Sequence, residues 1–180
     1  MDNLLSWYQL EPGLAANFHL TEGGEFFGSN RSSRDISNAV DLNHLKKLRS
    51  QADAIVVGGS TARAEGYKPS ENFKTYVFSH RLQGAGLHQL EFSNDDQLAE
   101  QLSNLKELHP RILCECGPSL LNRFLSLKKI DQLFLTVTFE ATPNADTAEQ
   151  VANQVLRLDG YRLDRYETVE SSALNLWRRA

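Results

Sequence analysis

"LCECGPSLLNRFL", residues 113–125, starts as an apolar strand and ends as an amphipathic helix, with Glu115, Cys116, Gly117 and Pro118 packed into the joint. Gly117 can take a conformation barred to other residues, and Pro118 suits a first helical position, where a missing N–H is no loss. The amides of Ser119 to Leu121 would then face outward at the positive end of the helix dipole. That arrangement suits a phosphate or pyrophosphate. Strand-to-helix turns through glycine are also common without any ligand, so simple helix capping is the competing reading.

Working outward, extended and helical patterns alternate. "LAANFHL" (14–20) reads as a first strand, and "AVDLNHLKKLRSQ" (39–51) carries Val40, Leu42, Leu45 and Leu48 at helical spacing, capped by Ser37 or Asn38. "AIVVGG" (54–59) suits a buried strand ending in a tight turn. "TYVFS" (75–79) and "HQLEF" (88–92) are further strands. "DQLAEQLSNLKEL" (96–108) is a helix that turns Leu98, Leu102 and Leu105 inward, and "RILCE" is the next buried strand. This alternation predicts an α/β domain on a mostly parallel sheet. "DQLFLTVTF" (131–139) adds a strand, and period-two alternation over 155–179, with an Asp159-Gly160 turn signal, predicts antiparallel strands at the sheet edge.

A chain of 180 residues, with no internal repeat or low-complexity linker, reads as one domain spanning 1–180. With 23 Asp+Glu against 19 Lys+Arg and no basic stripe, nucleic acid is an unexpected partner. No apolar run reaches membrane-spanning length, and the N-terminus does not look like a signal peptide. Cys114 and Cys116 are read as facing opposite sides of a strand and unbridged, which fits a reduced, cytoplasmic protein. His19, His44, His80, His88 and His109 lack metal-ligand spacing, so no metal is expected. Trp7, Tyr8, Phe26 and Phe27 read as packing or interface residues, and "RSSR" (31–34) as a solvated loop.

In open α/β sheets ligands gather at the carboxyl ends of strands. Besides the opening stretch, "VVGGSTARAEGY" (56–67) is such a joint, with Gly58 and Gly59 allowing close approach and Ser60-Thr61 supplying hydroxyls.

Together, "ANFHLTEGG", "LRSQADAIVVGGSTARAEGY", "LCECGPSLLNRFL" and "IDQLFLTVTF" resemble the reductase domain of riboflavin biosynthesis, the C-terminal half of the bacterial bifunctional deaminase-reductase. The resemblance runs in order over most of the chain. Its most specific parts are "G-x-x-T-x-R-x-E-G-Y" (58–67) and "E-x-G-P-S-L" (115–120). It implies a dihydrofolate-reductase-like fold: a mostly parallel central sheet flanked by helices, with antiparallel C-terminal strands. It also implies NADPH-dependent reduction of 5-amino-6-(5-phosphoribosylamino)uracil at ribose C1′, giving the ribitylamino product, in a homodimer. Carried over by motif, Thr21, Asp35, Thr61, Glu65 and the Gly117, Pro118, Ser119, Leu120, Leu121 helix start fall on cofactor-contacting positions. Ser33, Arg49 and Glu115 fall on substrate-contacting positions, with Glu115 also given the catalytic role. Arg49 would hold the ribose phosphate through a charge-assisted fork, and Glu115 would accept hydrogen bonds from pyrimidine or ribose. A solvated Arg49 and a satisfied buried Glu115 are the competing readings. Arg63 and Arg123 are the candidates for a 2′-phosphate contact.

The chain departs from the family pattern in three places. Thr21-Glu22-Gly23-Gly24 stands where Ser-x-Asp-Gly is usual, so Gly23 replaces an acid. Cys116 replaces a glycine, and "EATPNADTAEQ" (140–150) replaces a proline and a glycine-bearing loop. The alternative to an active reductase is therefore a non-catalytic or substrate-diverged paralogue that keeps the fold and a nucleotide pocket.

Overall fold

Residues 5–29, 35–81 and 84–180 are described by the structure, a computed structural model. Ser33 and the rest of the 31–34 segment lie outside these residues. In chain order the elements are β1 (Gly13–Thr21), α1 (Ala39–Arg49), β2 (Ala54–Gly58), α2 (Gly59–Ala64), β3 (Lys74–Phe78), β4 (His88–Leu90) and α3 (Asp95–Leu108). They continue with β5 (Arg111–Cys114), α4 (Pro118–Ser126), β6 (Gln132–Thr138), α5 (Ala145–Val155), β7 (Tyr161–Val169) and β8 (Ser172–Arg179).

All five residues of β2 and six of the seven in β6 are buried, as expected of central strands covered on both faces. The eight strands form one sheet in the order β4-β3-β2-β5-β1-β6-β8-β7. Pairing is parallel from β4 to β6 and antiparallel for β6-β8-β7. The chain first steps one way from β1, to β2, β3 and β4, and then returns through β5 to β6 on the other side of β1. Right-handed crossovers put helices of opposite step on opposite faces. Accordingly α1 and α2 cover one face with Val40, Leu48 and Ala62, while α3, α4 and α5 cover the other with Leu98, Leu102, Phe124 and Val151.

Four sequence expectations are corrected by the structure. Cys114 and Cys116 share one core cluster, because two positions along an extended chain is one full pleat period. Both are free, and burial pushes the Cys114 thiol up. The 140–150 stretch is not a loop throughout: Asn144 accepts from the Thr147 amide at 2.9 Å and starts α5, whose Ala148, Val151 and Ala152 enter the core. Asp159-Gly160 leads from α5 into β7, whereas the β7-β8 hairpin turns at Glu170-Ser171, with Glu170 at φ 53°. In α1 the buried residues are Val40, Asp41, His44 and Leu48, and Leu42 is exposed. Of the two cap candidates, Asn38 accepts from the Asp41 amide at 3.0 Å.

Phe124 lies fully buried on α4 in edge contact with Phe78 of β3, ring centroids 5.8 Å apart. Phe124→Ala is expected to destabilise the protein by about 3–5 kcal/mol in urea unfolding. A loss below about 1 kcal/mol would show that α4 is not packed as described.

Candidate active site

β1 and β5 run in register only from Gly13–Arg111 to Ala16–Cys114. Beyond that point β1 continues along β6, and the chain after β5 turns away at Glu115. The gap lies at the topological switch point of the sheet, where crevices form at strand carboxyl ends. A cleft of about 1020 Å³ opens there, lined by residues from β1, α1, both glycine joints and the β3 end.

The two joints adjoin because β2 and β5 are parallel neighbours. A side chain at Gly117 would meet Thr61 Oγ1 at 3.4 Å, and one at Gly58 would meet Leu120 Cδ2 at 3.5 Å. At Gly59 it would collide with Ser79, the residue after β3, 2.3 Å from Oγ. Gly117 has φ −63° and ψ 165°, open to any residue, so the unusual backbone expected from the sequence is not what the glycine provides. Pro118 opens α4 as expected. The Leu121 amide is already donated to the Gly117 carbonyl at 3.0 Å and its side chain is fully buried, so of the expected outward amides only those of Ser119 and Leu120 remain.

Arg49 and Glu115, 66 positions apart in sequence, meet across the cleft. Arg49 Nε donates to Glu115 Oε1 at 2.7 Å and Nη2 donates to Oε2 at 2.5 Å, a bidentate fork. The Tyr67 hydroxyl also donates to Oε2, and Arg49 Nη2 reaches that hydroxyl at 3.2 Å. Glu115 is 8% exposed, against 39% for the Arg49 side chain. The fork to Glu115 pushes the guanidinium further up from its ordinary value. Burial, reinforced by the Glu115 charge, drives the Tyr67 phenol well above its own. This triad joins the α1 end, the turn that follows α2 and the β5 end at one point.

The cleft is lined by Arg49, Thr61, Glu65, Glu115 and Gly117 to Leu120. Thr21 and Asp35 are not among its lining residues. Thr21 is held in a local turn, its hydroxyl donating to the Glu25 carboxylate and its amide to the Glu25 carbonyl at 2.9 Å. Asp35 packs against Gly28. Sequence reasoning missed Asp41, Leu45 and Tyr67. The first two share a stripe with Arg49 at intervals of four along α1, a signal present in the spacing. Phe26 and Phe27, expected as packing residues, also line the cleft, in edge contact with each other at 4.6 Å.

A doubly wound sheet with this strand order, an antiparallel end and a switch-point cleft defines a dihydrofolate-reductase-like α/β protein. Dihydrofolate reductase from Enterococcus faecalis, complexed with NADP(H) and RAB-propyl, superposes with a TM-score of 0.63 at 14% identity, over 94% of this chain and 98% of that one. A pyrimidine reductase-like protein from Corynebacterium diphtheriae gives 0.70 at 17% identity, over 94% and 92%. A diaminohydroxyphosphoribosylaminopyrimidine deaminase/5-amino-6-(5-phosphoribosylamino)uracil reductase from Thermotoga maritima gives 0.66 at 15%, over 94% of this chain and 57% of that one. Comparison with curated protein sequences gives no match. The RibD C-terminal domain family matches residues 16–138, and the chain belongs to that family, the one its motifs resemble.

The Arg49-Glu115-Tyr67 triad generates a direct test. Glu115→Gln removes the acceptor charge while keeping shape, and is expected to cost about 1–2 kcal/mol, less than a fully buried pair because Arg49 keeps part of its hydration. Urea unfolding would measure this, and unchanged stability would show that the triad is not formed.

Proposed function

We propose that this protein is an NADPH-dependent reductase of 5-amino-6-(5-phosphoribosylamino)uracil in riboflavin biosynthesis, acting as a cytoplasmic homodimer of a single-domain chain. The observation that carries the reading is the convergence of two unlike half-sites in one cleft. One half is the pair of glycine joints, with the Thr61 hydroxyl beside the Ser119 and Leu120 amides. The other is the α1 stripe of Asp41, Leu45 and Arg49 facing Glu115.

The first half fits a nicotinamide dinucleotide. It combines hydroxyls, unpaired amides at the start of α4 and the close approach that Gly58, Gly59 and Gly117 permit. Thr61, Glu65 and Gly117 to Leu120 hold the cofactor in this reading, with Leu121 supporting them from the core. Arg63 and Arg123 both line that half and supply positive charge for a 2′-phosphate, which selects NADPH over NADH. Arg123 is held there by Asp95 and by stacking 4.6 Å over the Phe92 ring. When bound, the cofactor supplies the hydride. The protein binds, orients and excludes water.

In the second half the substrate phosphate competes with Glu115 for Arg49. Bidentate exchange of one oxyanion for another keeps the guanidinium paired throughout. Glu115, released in part, accepts hydrogen bonds from the ribose. Phe26 and Phe27 supply an apolar wall for the pyrimidine.

The mutual satisfaction of Arg49 and Glu115 favours a second reading, a non-catalytic or substrate-diverged paralogue in which the fork is purely structural. Steady-state NADPH oxidation with the deaminated pyrimidine substrate separates the two. The reductase reading expects turnover that prefers NADPH to NADH. It also expects Arg49→Ala to raise KM by about 10-fold or more, as loss of a charge-assisted fork of about 1.5–3 kcal/mol requires. Absence of turnover in the folded wild type would favour the paralogue.

A further inference from the structure

Reducing a glycosylamine consumes one proton for each hydride. Glu115 is poorly placed to give it, since Arg49 and Tyr67 occupy both of its oxygens. The same cleft is lined by a second acid–base pair, where β1 faces α1. His19 and Asp41 are 7% and 4% exposed, and His19 Nδ1 lies 3.5 Å from Asp41 Oδ2. Ser37 donates to that same Oδ2 at 2.5 Å. Asp41 Oδ1 and His19 Nδ1 find no hydrogen-bond partner among the described residues. Asp41 also stands in the first turn of α1, where the helix dipole favours an anion. A buried anion facing an imidazole nitrogen calls for a proton on that nitrogen.

The other ring nitrogen has a partner suited to both protonation states. His19 Nε2 lies 3.2 Å from Thr138 Oγ1, and that hydroxyl is 3.4 Å from the Leu20 carbonyl. The hydroxyl can donate to a neutral Nε2. It can equally accept from a protonated Nε2 while turning its own hydrogen to Leu20, so Nε2 keeps a partner through gain and loss of a proton. These roles are inferred from the partners on each side of the ring. A carboxylate 3.5 Å from one ring nitrogen and a hydroxyl 3.2 Å from the other form a proton-transfer unit that a purely structural histidine does not need.

We propose that His19 is the proton donor of this cleft and that Asp41 is its positioning residue. The proposal rests on the reductase reading above. In that reaction the exocyclic nitrogen lone pair forms the C1′=N bond as the C1′–O4′ bond breaks. The departing electron pair on O4′ takes the proton from His19 Nε2 and becomes the 4′-hydroxyl. The hydride then forms the C1′–H bond, and the π electron pair returns to nitrogen. One hydride and one proton are consumed, and His19 is reprotonated from solvent. Asp41 keeps the Nδ1 proton in place and stabilises the imidazolium.

Burial draws the His19 imidazole below its ordinary range, and Asp41 opposes that shift. Among the described residues, the other titratable groups facing Asp41 are Tyr8, kept neutral by burial, and His44 on α1, whose own imidazole burial also draws down. From β6, His19 faces the uncharged Thr138. A general acid works in its protonated form, so kcat falls as pH rises through the His19 pKa. Removing the Asp41 charge moves that fall to lower pH.

The test combines kcat against pH with nitrogen-15 NMR of the imidazoles, on the full chain and on His19→Gln and Asp41→Asn. NADPH affinity reports that each variant is folded. The expected result is a kcat loss of about 100-fold and no alkaline fall in His19→Gln, with NADPH affinity unchanged. In Asp41→Asn the fall and the His19 NMR titration should move together to lower pH. A His19→Gln enzyme with kcat within about twofold of wild type and the same pH profile would overturn the proposal. So would a His19 titration indifferent to Asp41→Asn. A folded wild type without turnover would instead overturn the reductase reading, and the NMR titration would still show whether the pair exchanges a proton as described.

Discussion

The site depends on where the pairing of two central strands stops. β1 and β5 hold each other through Ala16 and Cys114, and then part because β1 follows β6 while the chain after β5 bends into α4. Were that ladder continued for two more residues, the cleft would be filled by backbone. The parting point exists because the chain winds one way from β1 and then the other, so no crossover covers the carboxyl ends of these neighbours. Four walls of the cleft are brought there by this one topological fact: the β1 end, the α1 stripe, the α2 joint and the start of α4.

The cleft combines tight backbone geometry on one side with buried charge on the other. At the α2 joint, the Ser79 side chain approaches the backbone more closely than a Cβ at Gly59 would allow. On the α1 side, Arg49 is answered by Glu115 and Tyr67, and Asp41 by Ser37 and His19 through Oδ2. Removing one member of such a set leaves the other exposed to the full cost of desolvation. In the proposed function, the groups that brace the cleft are also the ones that exchange partners with a ligand.

Much of the fold was legible in sequence because its signals are local. The near-continuous buried runs in 14–20 and 132–138, the Leu98-Leu102-Leu105 stripe and the Gly-Pro joint each lie within a few residues. What escaped was either cryptic or non-local. The buried face of α5 is made of Ala148, Val151 and Ala152, small residues that barely mark a helix, and Glu170 makes a hairpin turn without glycine or asparagine. Asp41 and His44 read as the polar side of α1 but are buried. The pairing of Arg49 with Glu115 spans 66 positions, and sequence spacing carries no trace of it. Motif resemblance named both residues without revealing that each is the other's partner.

In the proposed function the two glycine joints form one nucleotide half-site separate from the α1 half. Titration of the protein with NADPH, followed through backbone amide NMR shifts, probes that separation. The largest shifts are expected at Gly59 to Thr61 and at Ser119 and Leu120, with Asp41 to Leu45 little changed. Binding that shifts the α1 amides instead, or no binding at all, would contradict it.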